Sequence, residues 1–283
     1  MTKSLLIGFH VSIAESLLLA FDRANEIGCT TFQIFTRNPS RWAFKPLAKE
    51  DIEGFKRKRR ETIFKAIAAH MPYLPNLASS DKTAIKQSRE SLKAEVERCG
   101  RLEIDYLVAH LGSHHGAGTM TGVRNVAAAC DEALDSSEGK TMILLENMAG
   151  QRNCVGARFE ELKMIMDLTK NRDRVGVCFD TCHAFAAGFD LSNEAAVRDT
   201  LSLFDRLVGL KEMKVIHFND SKGALGSALD RHEHVGKGRI GKAGFKALLQ
   251  NDYVRNVPLI IETPPGEEIS QKEELKTVLK LVG

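Results

Sequence analysis

No two of the six cysteines in this 283-residue sequence are spaced as CxxC. Cys29, Cys99, Cys130 and Cys178 lie in apolar segments. That usage argues against a disulfide framework and for reduced thiols in a reducing compartment. No apolar stretch is long enough to span a membrane, and the apolar run in the opening MTKSLLIGFHVS is too short for a signal peptide. A cytoplasmic protein with no membrane contact is therefore expected. There is little excess charge: the net value is +3 and the pI about 8.5, which permits a polyanionic partner without demanding one. Low-complexity segments, linkers and clear internal repeats are also absent. Nothing in the pattern calls for an obligate protein partner or for more than a monomer.

What is present is an ordinary globular composition, 43% hydrophobic and 27% charged, with ample chain for a core. Apolar strand-like runs alternate with helix-like ones from end to end, the signature of βαβ units. The expected fold is α/β, a (β/α)8 TIM barrel with a closed parallel sheet and outer helices, formed as one domain over residues 1–283. Strand one is LLIGFHV, near residues 5–11, and strand two is TTFQIFT, residues 30–36. Ser12-Ile13-Ala14-Glu15 reads as a capping box opening the first helix, which Gly28 ends. Ile85, Leu92, Val96 and Cys99 define the inner face of the helix after strand three. The longest loop, SKGALGSALDRHEHVGKGRIG, follows strand seven, and loops of that length inside a compact domain are usually functional.

Strands three to eight end in, or are followed closely by, residues able to ligate a metal: His70, His110, Glu146, Asp180, His183, His217, Asp230, His232 and Glu262. The successive strand-end ligands are roughly 35 to 45 residues apart, about a strand plus its returning helix. In a parallel barrel the C-terminal ends of all strands share one face, so these residues converge. A single histidine at a strand end is more often a hydrogen-bonded core residue, and a single carboxylate there more often caps the next helix. The complete set is different, because four carboxylates and five imidazoles gathered at one mouth repel and desolvate one another unless cations neutralise them. Oxygen- and nitrogen-rich sites with an open position are catalytic rather than structural. Nine ligands exceed what one or two ions need, and three divalent ions are expected: zinc, with manganese suited to the same ligands. Cys182 is read as a small buried residue rather than a thiolate ligand. His10 ends strand one and is a candidate lining residue; His114, His115 and His234 are read as loop histidines.

At these residues the chain resembles the endonuclease IV family of apurinic/apyrimidinic endonucleases. The resemblance runs nearly full length and is carried by HMPYLPNLAS (70–79), HLGSHHGAGT (110–119), LENMAGQ (145–151), CFDTCHAFAAGFD (178–190), IHFNDSK (216–222), DRHEHVGKGRIG (230–241) and LIIETP (259–264). It implies a trinuclear zinc site. His70, His110 and Glu146 would hold the first ion; Glu146 would bridge to a second held by Asp180, His217 and Glu262; His183, Asp230 and His232 would hold the third. It also implies incision of duplex DNA on the 5′ side of an abasic site, leaving a 3′-hydroxyl and a 5′-deoxyribose phosphate, and trimming of blocked 3′ ends. The chain departs from the family pattern at Leu111, where proline is usual, at Met148 and at Phe189. In Asn38-Pro39-Ser40-Arg41-Trp42 the DNA-probing arginine is assigned to Arg41, one position later than usual.

The residues point to DNA independently. Arg37, Arg41, Arg152, Lys222, Arg231, Lys237 and Arg239 fall in loops of the metal-bearing face, where cations would pair with phosphates. Tyr73 and Leu74 follow His70 closely and suit a wedge that fills the gap left by a missing base. The run Lys56-Arg57-Lys58-Arg59-Arg60 is read instead as a solvated helix end at the opposite pole. Glu146, as the bridge, and Glu262, as a group that orients or deprotonates water, are the catalytic candidates. Two rivals differ in what they require. A metal-dependent sugar isomerase or epimerase would need Glu146, Asp180, His217 and Glu262 but not the other five ligands. A non-catalytic DNA-damage binder would favour closed, thiolate-rich sites.

Overall fold

The computed structural model describes residues 5–263 and 269–282. Pro264, which ends the LIIETP string, and residues 1–4 of the opening segment lie outside the described residues. The strands are β1 (Ile7–Phe9), β2 (Phe32–Phe35), β3 (Ile67–His70), β4 (Tyr106–Ala109), β5 (Met142–Glu146), β6 (Val175–Asp180), β7 (Met213–His217), β8 (Asp220–Ser221), β9 (His232–Glu233) and β10 (Leu259–Ile261). The helices are α1 (Leu19–Ile27), α2 (Lys49–Glu61), α3 (Lys82–Leu102), α4 (Thr119–Asp135), α5 (Phe159–Leu168), α6 (Thr181–Ala186), α7 (Glu194–Leu207), α8 (Gly241–Gln250) and α9 (Gln271–Leu281).

Eight strands form one sheet in the order β1-β10-β7-β6-β5-β4-β3-β2, with every pairing parallel. A parallel bridge between His10 and Gln33, with Val11 N donating to Gln33 O at 2.8 Å, joins the two ends and nearly closes the barrel. Gly8 permits this closure: a Cβ there would lie 1.7 Å from the Thr31 carbonyl oxygen. The strands are covered on both faces, which is why they read as continuous apolar runs such as VGVCFD, buried at all six positions. Between sheet and helices lies the large core, in which Phe21, Phe32, Phe55 and Phe64 meet edge to face or tilted at centroid distances of 4.8 to 6.0 Å. Burying each such side chain contributes roughly 1.5–3 kcal/mol.

Inside the barrel sits a second, small cluster of Val108, Leu144, Cys178, Val215 and Ile260. Side chains alternate across a strand, so the residue two further on faces inward again. Those residues are His110, Glu146, Asp180, His217 and Glu262. The apolar layer thus forms the floor of the barrel mouth, and strand periodicity alone aims the carboxylates and imidazoles above it.

Three local expectations are corrected. Ser12–Glu15 is not a capping box, and α1 begins at Leu19. Ser12 Oγ instead accepts Ala14 N at 3.1 Å, and Glu15 adopts φ 72°, a left-handed turn no helix tolerates. The long segment after β7 is not a plain loop. Its start pairs with its middle as the antiparallel β8–β9 hairpin, which brings His232 beside Ser221. Beyond the hairpin, Asp220 accepts backbone N–H groups from Gly236, Gly238 and Ile240 at 2.9–3.0 Å. Gly238 must be glycine for that turn to wrap the carboxylate, since a Cβ would stand 2.5 Å from Asp220 Oδ1. On α3, Leu92, Val96 and Cys99 are buried as expected, while Ile85 is only partly so.

Candidate metal centre

Three strand ends build the first group. His70 Nε2 and His110 Nε2 each lie 3.1 Å from Glu146 Oε2. His70 is fixed from behind by its Nδ1, 2.7 Å from the Met71 carbonyl, which leaves Nε2 as the lone-pair nitrogen. The other Glu146 oxygen, Oε1, lies 3.0 Å from His217 Nδ1. One carboxylate therefore faces two groups, as a bridging ligand would. His217 Nδ1 is also 3.1 Å from Glu262 Oε2 and 3.7 Å from Asp180 Oδ2. In the third group His183 Nε2 and His232 Nε2 stand 3.2 and 3.6 Å from Asp230 Oδ1.

Ligand atoms within 4.8 Å of one another define the sets His70–His110–Glu146, Glu146–Asp180–His217–Glu262 and His183–Asp230–His232. These sets contain all nine sequence candidates. A fourth set, Asp180–Cys182–His232, overlaps them. Burial pushes the Cys182 thiol up to about 12, and it donates to the Arg231 carbonyl at 3.6 Å, so it behaves as the small buried thiol expected.

The donor chemistry fits cations. Glu146, Asp180, His183 and His217 are essentially inaccessible to water. At Glu146, His183 and His217 burial opposes charge, yet mutual attraction wins. It holds the Glu146 carboxyl well below its usual range, chiefly through His110 and His217, and lowers Glu262 chiefly through His217. The same attraction raises His183, through Asp180 and Asp230, and His217, through Cys178, Glu262 and Glu146, well above the ordinary imidazole value. His10 is the exception: burial dominates and lowers its pKa. His183 Nε2 and His232 Nε2 are buried and have no hydrogen-bond partner among the described residues, although a carboxylate faces both. Buried nitrogens rarely go unpaired. Two imidazole nitrogens converging on a carboxylate oxygen, with no hydrogen bond to either among the described residues, are what a metal site offers.

Around this centre lies a pocket of about 340 Å³ lined by His10, Tyr73, His110, Asp230 and Glu262 among others. Tyr73 is 64% exposed and stacks edge-on against Phe35, and Leu74 is 39% exposed, so both project as tips at the rim. Arg41, Arg152, Lys222, Arg231, Lys237 and Arg239 are exposed in the surrounding loops.

Arg37 is not among them, which corrects its assignment as a phosphate contact. It is 6% exposed, its Nε pairs with the wholly buried Glu95, and its Nη atoms donate to Ser91 Oγ and to the Arg41 and Trp42 carbonyls. Thr36 and Arg98 complete this network, and Phe44 covers both guanidiniums. Arg37 therefore shapes the loop that presents Arg41. The basic run on α2 sits at the other pole: Lys56 pairs with Glu103, Lys58 with Asp22, and Arg59 with Asp105, which immediately precedes β4.

Several residues holding the centre were not singled out from sequence. Asn147 bonds the Asp180 backbone through Oδ1 and Nδ2, and its carbonyl takes the His183 Nδ1 proton. Asn219 Nδ2 donates to Asp180 Oδ2 and to Glu262 Oε2. Gln33 reaches Glu262 and His217 from β2. Asn147 and Asn219 each lie within two positions of a ligand, a signal that could have found them; Gln33 has none. His114 and His234 are loop histidines as expected, bonded to Gly116 and Gly118 amides and to Glu274.

A family model described as a xylose isomerase-like TIM barrel matches residues 21–280. The curated protein "Probable endonuclease 4" of Nitrosopumilus maritimus is 46% identical over 95% of this chain and 97% of its own. The crystal structure of endonuclease IV from Thermus thermophilus superposes with a TM-score of 0.87 at 32% identity, covering 98% of both chains. A D-tagatose 3-epimerase-like protein matches with a TM-score of 0.70 at 21% identity over 97% of this chain and 98% of its own, a likeness of fold alone. By sequence along its length and by structure, the chain belongs to the endonuclease IV family.

Proposed function

We propose that this protein, working as a single catalytic unit over residues 1–283, is a DNA-repair endonuclease of base excision repair. It hydrolyses the phosphodiester 5′ to an abasic site in duplex DNA, leaving a 3′-hydroxyl and a 5′-deoxyribose phosphate, and it trims blocked 3′ ends. The single observation that supports this reading best is the sorting of nine ligands into three sets, two of which share Glu146. Zinc suits these imidazole and carboxylate donors, and manganese can take the same ligands. Bound divalent ions supply the Lewis acidity that phosphodiester hydrolysis needs.

The chain's own residues do the rest. Arg41, Lys222 and Arg231 would contact the backbone phosphates and make affinity depend on salt. Tyr73 and Leu74 would fill the gap at the missing base and hold the kinked duplex against the mouth. Glu262 lies in the second set and, held ionised, can accept a hydrogen bond from an attacking water and orient it. The protein is read as a cytoplasmic monomer with no membrane partner; among the described residues no helix is long and apolar enough to cross a membrane.

A sugar epimerase of similar fold would use only Glu146, Asp180, His217 and Glu262, leaving five ligands without a purpose. A nicking assay on a duplex with one abasic site, with and without chelator, decides between the readings. Incision that chelator abolishes is expected; no incision by zinc-loaded protein would overturn the proposal. Glu262→Gln should bind the abasic duplex nearly normally and cut it far more slowly.

A further inference from the structure

One buried amide contacts two members of the centre and a histidine that lines its pocket. Gln33 is fully enclosed, with Nε2 2.7 Å from Glu262 Oε1 and 3.0 Å from His10 Nδ1, and Oε1 3.0 Å from His217 Nε2. The carboxylate decides the orientation, because an ionised Glu262 only accepts and must face the amide nitrogen. The amide oxygen then faces His217 and also only accepts, so His217 carries its proton on Nε2. Its lone pair lies on Nδ1, the atom directed at Glu146, Asp180 and Glu262.

The second amide hydrogen points at His10 Nδ1, which must accept it. Glu262 Oε1 is 3.6 Å from that nitrogen, too far to compete as a hydrogen bond. With Nδ1 accepting from the amide, the ring's proton lies on Nε2. That nitrogen is buried and has no hydrogen-bond partner among the described residues, and the ring lines the pocket, steadied by Phe35 at a centroid distance of 4.3 Å. A donor held in one tautomer and left unpaired beside a cation site suits an anionic oxygen.

We propose that Gln33 is a positioning residue that fixes the Nε2–H tautomer of both His217 and His10, and so readies His10 Nε2–H to donate to a phosphate oxygen of the DNA in the pocket. The tautomers stand on the geometry alone; the identity of the acceptor rests on the phosphodiester reading above.

Nitrogen NMR of the histidine-labelled, zinc-loaded protein tests the first half. Wild type should show both rings protonated at Nε2, and Gln33→Met, of similar shape but without the amide, should show mixed tautomers at His10. The same variant should bind zinc about 10–100-fold more weakly in chelator competition, the usual effect of removing a partner behind a ligand. His10→Phe should keep the wild-type zinc count and affinity and melting temperature but lose kcat on abasic duplex by about ten- to a hundredfold, as for a lost hydrogen bond to a charged group. His10→Gln, whose amide nitrogen reaches the Nε2 position, should recover most of that loss. Protonation of His10 at Nδ1 in wild type, or unchanged tautomers and zinc affinity in Gln33→Met, would overturn the role of Gln33. Unchanged kcat in His10→Phe would overturn that of His10. If wild type cuts no abasic duplex, the functional reading fails and the phosphate acceptor fails with it, while the nitrogen spectra still decide the tautomers.

Discussion

The two poles of the barrel handle charge in opposite ways. At the N-terminal pole the cations of α2 meet Asp22, Glu103 and Asp105 one to one, at partly exposed positions. Water and partner share the work there, and each pair is worth little. At the C-terminal pole the four carboxylates and five imidazoles sit mostly out of water, and some of the nitrogens have no hydrogen bond among the described residues. A charge cluster that is dense, buried and incompletely bonded needs a further species; one that is dispersed, exposed and paired needs none. Density of charge in the sequence is therefore a poor guide to the active face. The most conspicuous basic run is solvated, while single residues at strand ends form the centre.

The sharpest way to break the contrast is to remove the shared carboxylate. Glu146→Gln should cost incision about 10³-fold or more and release ions from two of the three sets, measured by single-turnover kinetics and elemental analysis. Next comes the buried pair that lies between the poles in character. Arg37→Ala strands Glu95 without its guanidinium and should destabilise the fold by about 3–5 kcal/mol in denaturant melts. Arg41→Ala, on the same loop but exposed, should leave the melt unchanged and weaken abasic-duplex binding.

Acidity separates the poles further. His183 and His217 hold their protons above the ordinary imidazole range in the metal-free protein, so an ion must displace those protons to bind. Apparent metal affinity should fall as pH falls, by about tenfold per unit for each proton displaced, and recover as pH rises. The N-terminal pairs join Lys56, Lys58 and Arg59 to carboxylates without an imidazole, so they have no such proton to displace and should not respond. The smallest effects belong to surface cations. Lys58→Ala should change stability by no more than about 1 kcal/mol and leave the salt dependence of DNA binding alone. Lys222→Ala should reduce the slope of log affinity against log salt by about one.

Much of this contrast was legible in the sequence because strand periodicity is simple. Once Val108, Leu144, Cys178, Val215 and Ile260 face inward, the residues two further on do as well, and those are the candidate ligands of the mouth. What was not legible depended on partners distant in sequence. Arg37 looked like a mouth cation because its carboxylate lies 58 residues away on α3. Gln33 looked like any strand residue until β10 and β7 brought Glu262 and His217 to it. The Ser12–Glu15 pattern failed for a local reason, the left-handed turn at Glu15, which the motif does not encode. The hairpin after β7 escaped notice because two short strands separated by a glycine-rich stretch leave no periodic trace.

So dense a group of buried carboxylates and imidazoles at the C-terminal pole calls for cations to share it. Metal counting on purified, incision-competent protein, followed through stepwise chelation, tests that directly. One ion for each of the three sets formed by these nine ligands, with incision lost as they leave, is the predicted result. Protein that cuts abasic duplex at full rate with fewer than about two bound ions per chain would contradict it.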